Sequence, residues 1–287
     1  METLSKILAC TDGSLYASSV YRHAHWAASR LNARIEVLHI IDSRQESVPH
    51  VDLSGSIGLN ARQRLREELV ALDEARGRAA QAKAALILEE AKAYFAESGF
   101  EGVRFESRHG SLVEMIENKE AQASLVVIGK RGEAADFAKL HLGANLERVI
   151  RSCHHPVLVA ARSFQPVNSM LIAFDGGPSA QKAVKYAASQ SLLKGLKCIL
   201  MAVGKPCATI QSDLLEAAET LKSAGYEVDA RMEQGEPEKV FAETIQSESI
   251  QLLVMGAYGH SRIRQLIVGS TTTTMVRTCR FPVLLFR

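Results

Sequence analysis

"QLLVMGAYGHSRIRQLIVGSTTTTM", residues 251–275, starts as an unbroken apolar run and then breaks at Gly256 and Gly259. A third glycine, Gly269, follows ten positions later, with Ser270 and four threonines behind it. A short apolar run closed by glycine reads as a strand buried on both faces. The hydroxyl-rich stretch after Gly269 reads as the start of a helix. A buried strand that passes to a helix through a glycine-rich turn is the building unit of a parallel α/β sheet.

The unit occurs twice, and an internal repeat decides the fold before anything else does. "SLVVIGKRG" (124–132) matches "QLLVMGAYG" (251–259) at an offset of 127, and "CHHPVLVAAR" from Cys153 matches "CRFPVLLFR" from Cys279 at 126. Upstream, "KILACTDGS" (6–14) answers "MLIAFDGGPS" (170–179): each is an apolar strand ending in an aspartate, Asp12 or Asp175, followed by glycine and serine. Gly110 in "SRHGSLVEMI" answers Gly235 in "EQGEPEKVFAETI". Four landmarks in one order mark a tandem duplication. The first domain is assigned to residues 1–163 and the second to 168–287, joined at "RSFQPVNS". The first carries a 36-residue insertion within about 43–98, whose helical pattern runs from about Ala61.

In the second half the strands are expected near Met170–Phe174, Cys198–Val203, Glu227–Arg231, Leu252–Met255 and Val283–Phe286. Amphipathic stretches separate them, including "SAQKAVKYAASQSLLKG" read as one helix ending at Gly195. Strict alternation predicts an α/β fold of two tandem doubly wound domains, each with a five-stranded, mostly parallel open sheet. Ligands of such sheets bind beyond the C-terminal strand ends, where the strand order reverses. Asp12, Gly129, Asp175 and Gly256 all stand at such ends.

Composition narrows the partners. The chain has 287 residues, 47% hydrophobic and 23% charged, with a net charge of +2. That balance gives no dense basic face for nucleic acid or an anionic membrane. No apolar run approaches the roughly 20 residues of a membrane-spanning helix. Five cysteines without CxxC spacing read as reduced thiols of a cytoplasmic protein.

Glycine lets several main-chain amides turn toward one anion, and a helix N-terminus adds unpaired amides and partial positive charge. Gly256, Gly259 and Gly269 supply such a turn, and Ser270 is an N-cap by type whose hydroxyl also suits a phosphate oxygen. Arg262 and Arg264 between them offer positive charge. The Walker lysine motif and a GxGxxG turn are both missing from the chain.

These residues resemble the universal stress protein family, in particular its tandem two-domain members. The family's signature, G-x2-G-x9-G-[ST] after strand four with an aspartate ending strand one, is met in full by Gly256, Gly259, Gly269, Ser270 and Asp175. The resemblance covers nearly the whole chain apart from the insertion. It implies ATP, alone or with Mg2+, bound by the second half. Ala173, Phe174 and Asp175 would line the adenosine, the backbone of Val203 would meet adenine, and Met255–Gly259 with Gly269–Thr271 would hold ribose and phosphates. It also implies that the last strands of the halves pair with each other as an internal pseudo-dimer; separately, an uncovered apolar edge is a liability that a further homodimer would cover.

The first half departs from that pattern. Its corresponding positions are Asp12, Ile40, Gly129, Gly132 and Gly143, but ten residues separate the last two glycines and Ala144 replaces the hydroxyl. Glu133 and Asp136 add like charge against a triphosphate, so a weakened or empty site is expected. The loop "DLSGSIG" (52–58) is a candidate to remodel that mouth. Asp12 and Asp175 also suit simple helix N-caps, which is compatible with ligand contact. "CHHP" (153–156) lacks a spaced fourth metal ligand, and His39 and His141 read as hydrogen-bonded core or loop residues.

Catalysis finds no nucleophile elbow or spaced carboxylate pair, so at most slow ATP hydrolysis is expected. Three readings follow: a nucleotide-responsive stress or signalling protein, in which ATP orders the loop from Gly259 to Gly269; a slow ATPase or phosphotransfer enzyme; and a nucleotide-free interaction scaffold.

Overall fold

The computed structural model describes residues 5–42, 59–130, 144–257 and 269–287. The first half runs β1 (Lys6–Thr11), α1 (Ala17–Leu31), β2 (Arg34–Ile41), α2 (Leu59–Ser98), β3 (Val103–His109), α3 (Leu112–Glu120), β4 (Leu125–Gly129), α4 (Ala144–Ser152) and β5 (Val157–Ala160). The second runs β6 (Ser169–Ala173), α5 (Pro178–Ser189), a 3-10 turn (Ser191–Leu193), β7 (Lys197–Val203), α6 (Ala208–Ser223), β8 (Val228–Glu233), α7 (Pro237–Ser247), β9 (Leu252–Gly256), α8 (Ser270–Thr278) and β10 (Val283–Phe286).

Within each half every strand pair is parallel, in the order β3-β2-β1-β4-β5 or its repeat β8-β7-β6-β9-β10. The two sheets join as one of ten strands through β5 and β10, which pair antiparallel with Leu158 opposite Leu284. Strand periodicity sends Ile7 and Ala9 to one face and Leu8 and Cys10 to the other. Each face carries an apolar cluster drawn from both halves, so the core does not stop at the joint: Val37 and Leu158 share one with Met170 and Leu200, and Val126 shares the other with Leu253.

The antiparallel joint also turns the halves head to tail. Parallel strands within a half share one C-terminal edge, so the two mouths open at opposite edges of the continuous sheet. Pairing covers the inner edges of β5 and β10.

Helix α2 has 40 residues against 16 in its counterpart α6. Side chains 64–83 include none that is buried; Ala84, Ile87, Ala91 and Phe95, at helical spacing, hold the rest of α2 to the sheet. Helix α5 stops at Ser189 rather than running to Gly195. Gln190 leaves helical geometry (φ −104°, ψ 145°), and a 3-10 turn then buries Leu192 and Leu193. The break has no glycine or proline to announce it. Among the described residues, no helix is long and apolar enough to cross a membrane.

Candidate functional site

In the second half the order reverses between β6 and β9, where Ala173 pairs with Met255. Asp175 and Gly256 therefore leave adjacent strands at one crevice. Val203 ends β7 on the other side of β6, two residues beyond Met201, the partner of Ala173. Of the sequence-predicted residues, Ala173, Phe174, Asp175, Val203, Met255, Gly256, Gly269, Ser270 and Thr271 all lie at this edge. Gly259, Arg262 and Arg264 lie outside the described residues, as do Gly132, Gly143, Glu133, Asp136, His141 and the 52–58 loop.

What these residues offer differs. The side chains of Phe174 and Met255 are buried in opposite apolar clusters, so only their main chain can serve the crevice. The Phe174 amide already donates to Met201 O at 2.8 Å. Asp175 does not cap the helix; its Oδ1 accepts the Gly177 amide at 2.9 Å across Gly176, whose φ of +74° is natural only to glycine. Gly177 is the N-cap, with Pro178 opening α5.

The glycines split in the same way. A Cβ built on Gly256 would stand 2.8 Å from Ser179 Cβ and 3.3 Å from the Ala180 amide, so this glycine lets β9 pass under the first turn of α5. Gly269 has an ordinary φ of −56°, and among the described residues a Cβ there would meet nothing closer than Thr272 Oγ1 at 3.6 Å. It, rather than Ser270, is the N-cap of α8, so no side-chain oxygen at that position fills the first amides; Ser270 is the first helical residue and is exposed.

Two contacts at this mouth were not legible in the sequence. Thr272 Oγ1 donates to Gly256 O at 3.0 Å, tying α8 to the end of β9. Thr271 Oγ1 donates to Glu238 Oε1 at 2.8 Å, so its hydroxyl is engaged by a carboxylate from the first turn of α7. Glu238 follows Gly235 and Pro237, which mark a turn and a helix start, but only the fold brings it to Thr271.

The first mouth has the same frame. Cys10 pairs with Ile128, placing Asp12 and Gly129 at its crevice, and Ile40 is half-buried near the end of β2. Asp12 Oδ1 accepts the Ser14 amide at 3.0 Å, again a turn rather than a cap. Here Gly13, at φ +73°, lies under α2: a Cβ would be 2.7 Å from Ile87 Cγ1. Tyr21 donates to or accepts from Thr11 Oγ1 at 2.9 Å, and burial pushes its phenol pKa up, helped by the charges of Glu90 and Asp12. After Gly129, where the second half has Ala257, Lys130 reaches across to Cys279 O at 2.7 Å. The body of α2 thus sits at this mouth.

Elsewhere the metal-type residues are otherwise engaged. His154 is held by Glu120 at 2.8 Å, and Cys153 Sγ donates to His155 O. His39 Nδ1 donates to Thr11 O at 2.9 Å. Burial pushes the thiols of Cys10, Cys153, Cys198 and Cys279 up to about 12; Cys207 is exposed.

Comparison with known proteins agrees with this architecture. The model of the Universal stress protein family matches residues 3–161 and again 166–287. A universal stress protein of Synechocystis sp. is 40% identical over 287 residues, covering 99% of this chain and 100% of the relative. A universal stress protein from Archaeoglobus fulgidus has a crystal structure that superposes with a TM-score of 0.70 at 20% identity, covering 100% of this chain and 99% of that one. A putative universal stress protein from Pseudomonas aeruginosa gives 0.60 at 16%, covering 99% and 93%. With both halves matched and a relative of that identity along the whole length, the chain belongs to the universal stress protein family, as a tandem member with two copies of its domain.

Proposed function

We propose that the protein binds ATP at the second mouth and acts as a nucleotide-responsive stress or signalling protein of the cytoplasm. The observation that carries this reading is Gly269. Among the described residues, neither its backbone angle nor a neighbouring atom asks for glycine, and as N-cap it leaves the first amides of α8 without a side-chain acceptor from them. A phosphate seated on those amides accounts for both facts: it needs close approach, and it completes the helix end. The adenosine belongs between the ends of β6 and β7, beside Asp175 and Val203.

The first mouth is assigned no nucleotide, because α2 closes over Gly13 and Lys130 turns to the other half. The two halves act as an internal pseudo-dimer through β5 and β10, with the antiparallel pairing as support.

Titration with fluorescent ATP tests the assignment. Binding at one site per chain is expected. Gly269→Thr supplies a hydroxyl cap and a side chain where the phosphates sit, and should weaken ATP at least about tenfold, with stability unchanged or raised by a few tenths of a kcal/mol. Gly259→Asp should abolish binding through charge and bulk. Unaltered affinity in Gly269→Thr sinks the assignment, and two sites per chain sink the closure of the first mouth. Turnover that survives Gly259→Asp counts against hydrolysis at this site.

A further inference from the structure

Where the halves join, a groove of about 790 Å³ opens between the N-terminal strand ends of the first half and the outer face of α5. That volume suits a small organic ligand. It lies at the opposite edge of the first sheet from Asp12 and Gly129, and none of the described nucleotide motif residues lines it, although Phe286 pairs with Gly256.

Its chemistry is one-sided. Lys6, Arg34 and Lys182 line it together with two imidazoles, and among the described residues no aspartate or glutamate does. Some of that charge is answered from behind: Lys6 pairs with Glu36 at 3.0 Å, and Glu120 holds His154. Arg34 has no ion pair among the described residues. Lys182 donates to the terminal oxygen of Arg287 at 2.9 Å, which answers part of its charge. A cleft lined by one sign of charge concentrates the opposite ion. One wall is aromatic: Tyr186 and Phe286 pack edge to face with centroids 5.1 Å apart. The Tyr186 hydroxyl, buried and with no hydrogen-bond partner among the described residues, is a donor the protein leaves unused beside it.

The duplication shows what this position of the fold accepts. Aligning Asp12 with Asp175 superimposes buried Ala17, Val20 and Ala24 on buried Ala180, Ala183 and Ala187. The same offset carries His23 onto Tyr186. Against His23 the joining segment lays the ring of Phe164, edge-on at 5.0 Å and 83°. One copy meets Phe164 of the joining segment and the other meets Phe286 of β10, and only beside the second does the groove with its cations open.

We propose that this groove is a second ligand site, for a small aromatic anion whose ring rests on Tyr186 and Phe286 and whose phosphate or carboxylate is held by Arg34 and Lys182. Calorimetric titration of the full chain with 1-naphthyl phosphate and with 1-naphthoate tests it. One of the two is expected to bind, and the tighter one names the headgroup. Arg34→Glu and Lys182→Glu, both at exposed positions, should each weaken it at least about tenfold, a loss of about 1.4 kcal/mol. Neutral 1-naphthol and inorganic phosphate should each bind more weakly than the combined probe. Gly259→Asp, which blocks the nucleotide mouth, should leave the affinity as it was. Failure of both probes at millimolar concentration overturns the proposal. So does affinity that survives both charge reversals, or that disappears in Gly259→Asp.

Discussion

At Gly256 the chain passes so near the first turn of α5 that a methyl group would stand 2.8 Å from Ser179 Cβ, while one on Gly269 would stand 3.6 Å from the nearest atom among the described residues. Gly256→Ala is therefore expected to cost about 1–3 kcal/mol in urea unfolding, by overpacking against backbone that has little room to give. The sequence announced both glycines and the aspartates ahead of the helices. It was silent on which glycine serves packing, because Ser179 lies far from Gly256 along the chain and only the β6–β9 register joins them. It also left Asp12 and Asp175 open between cap and turn, since one carboxylate type serves either geometry. His23 carries a second prediction. Burial pushes its imidazole down to about 4, partly offset by the Ser19 carbonyl. The unfolded chain, with an ordinary value near 6.5, takes up the proton first. Stability from this group is thus complete above about pH 6.5 and declines as pH falls toward 4. Half-exposed His25 is shifted in the same direction by burial and adds to the slope. Unfolding free energies at pH 7 and pH 5 should differ less in His23→Phe than in the unaltered chain; an equal difference would exclude His23 as the source.

Among the elements, the strands were the most legible. Runs such as "LLVM" are short, wholly apolar and closed by glycine, and the expected bounds fall within about two residues of those observed. The end of α5 was not, because "SQS" carries no breaker and the apolar spacing runs on through Leu192 and Leu193. The insertion was read correctly as helical, but its position over Gly13 was not accessible, since Ile87 meets that glycine only through the fold. Helix α2 should behave as two segments. Its outer part, with no buried side chain over 64–83, is held mainly by its own hydrogen bonds, whereas Ala84, Ile87, Ala91 and Phe95 anchor the rest. Hydrogen exchange read by mass spectrometry should find amides 64–83 exchanging well before amides 85–98. Uniform protection along α2 would contradict this division.

For the molecule as a whole, the apolar clusters on both faces cross the β5–β10 joint, and reciprocal contacts reinforce it: Lys130 reaches Cys279 O, and Arg287 reaches Ser152 O at 3.1 Å. Both cations meet the C-terminal ends of helices from the other half, where positive charge is favoured. The halves should accordingly melt together. Scanning calorimetry is expected to give one transition whose calorimetric and van't Hoff enthalpies agree, and two resolved transitions would show that the joint does not couple them. The outermost strands, β3 and β8, present charged and exposed residues such as Arg104 and Asp229, which suits free edges. Because the partner of β5 travels on the same polypeptide, its effective concentration is set by a tether of a few residues and not by how much protein is made. The assembled ten-stranded sheet should therefore survive dilution, and a response built on it would report ligand supply independently of expression level.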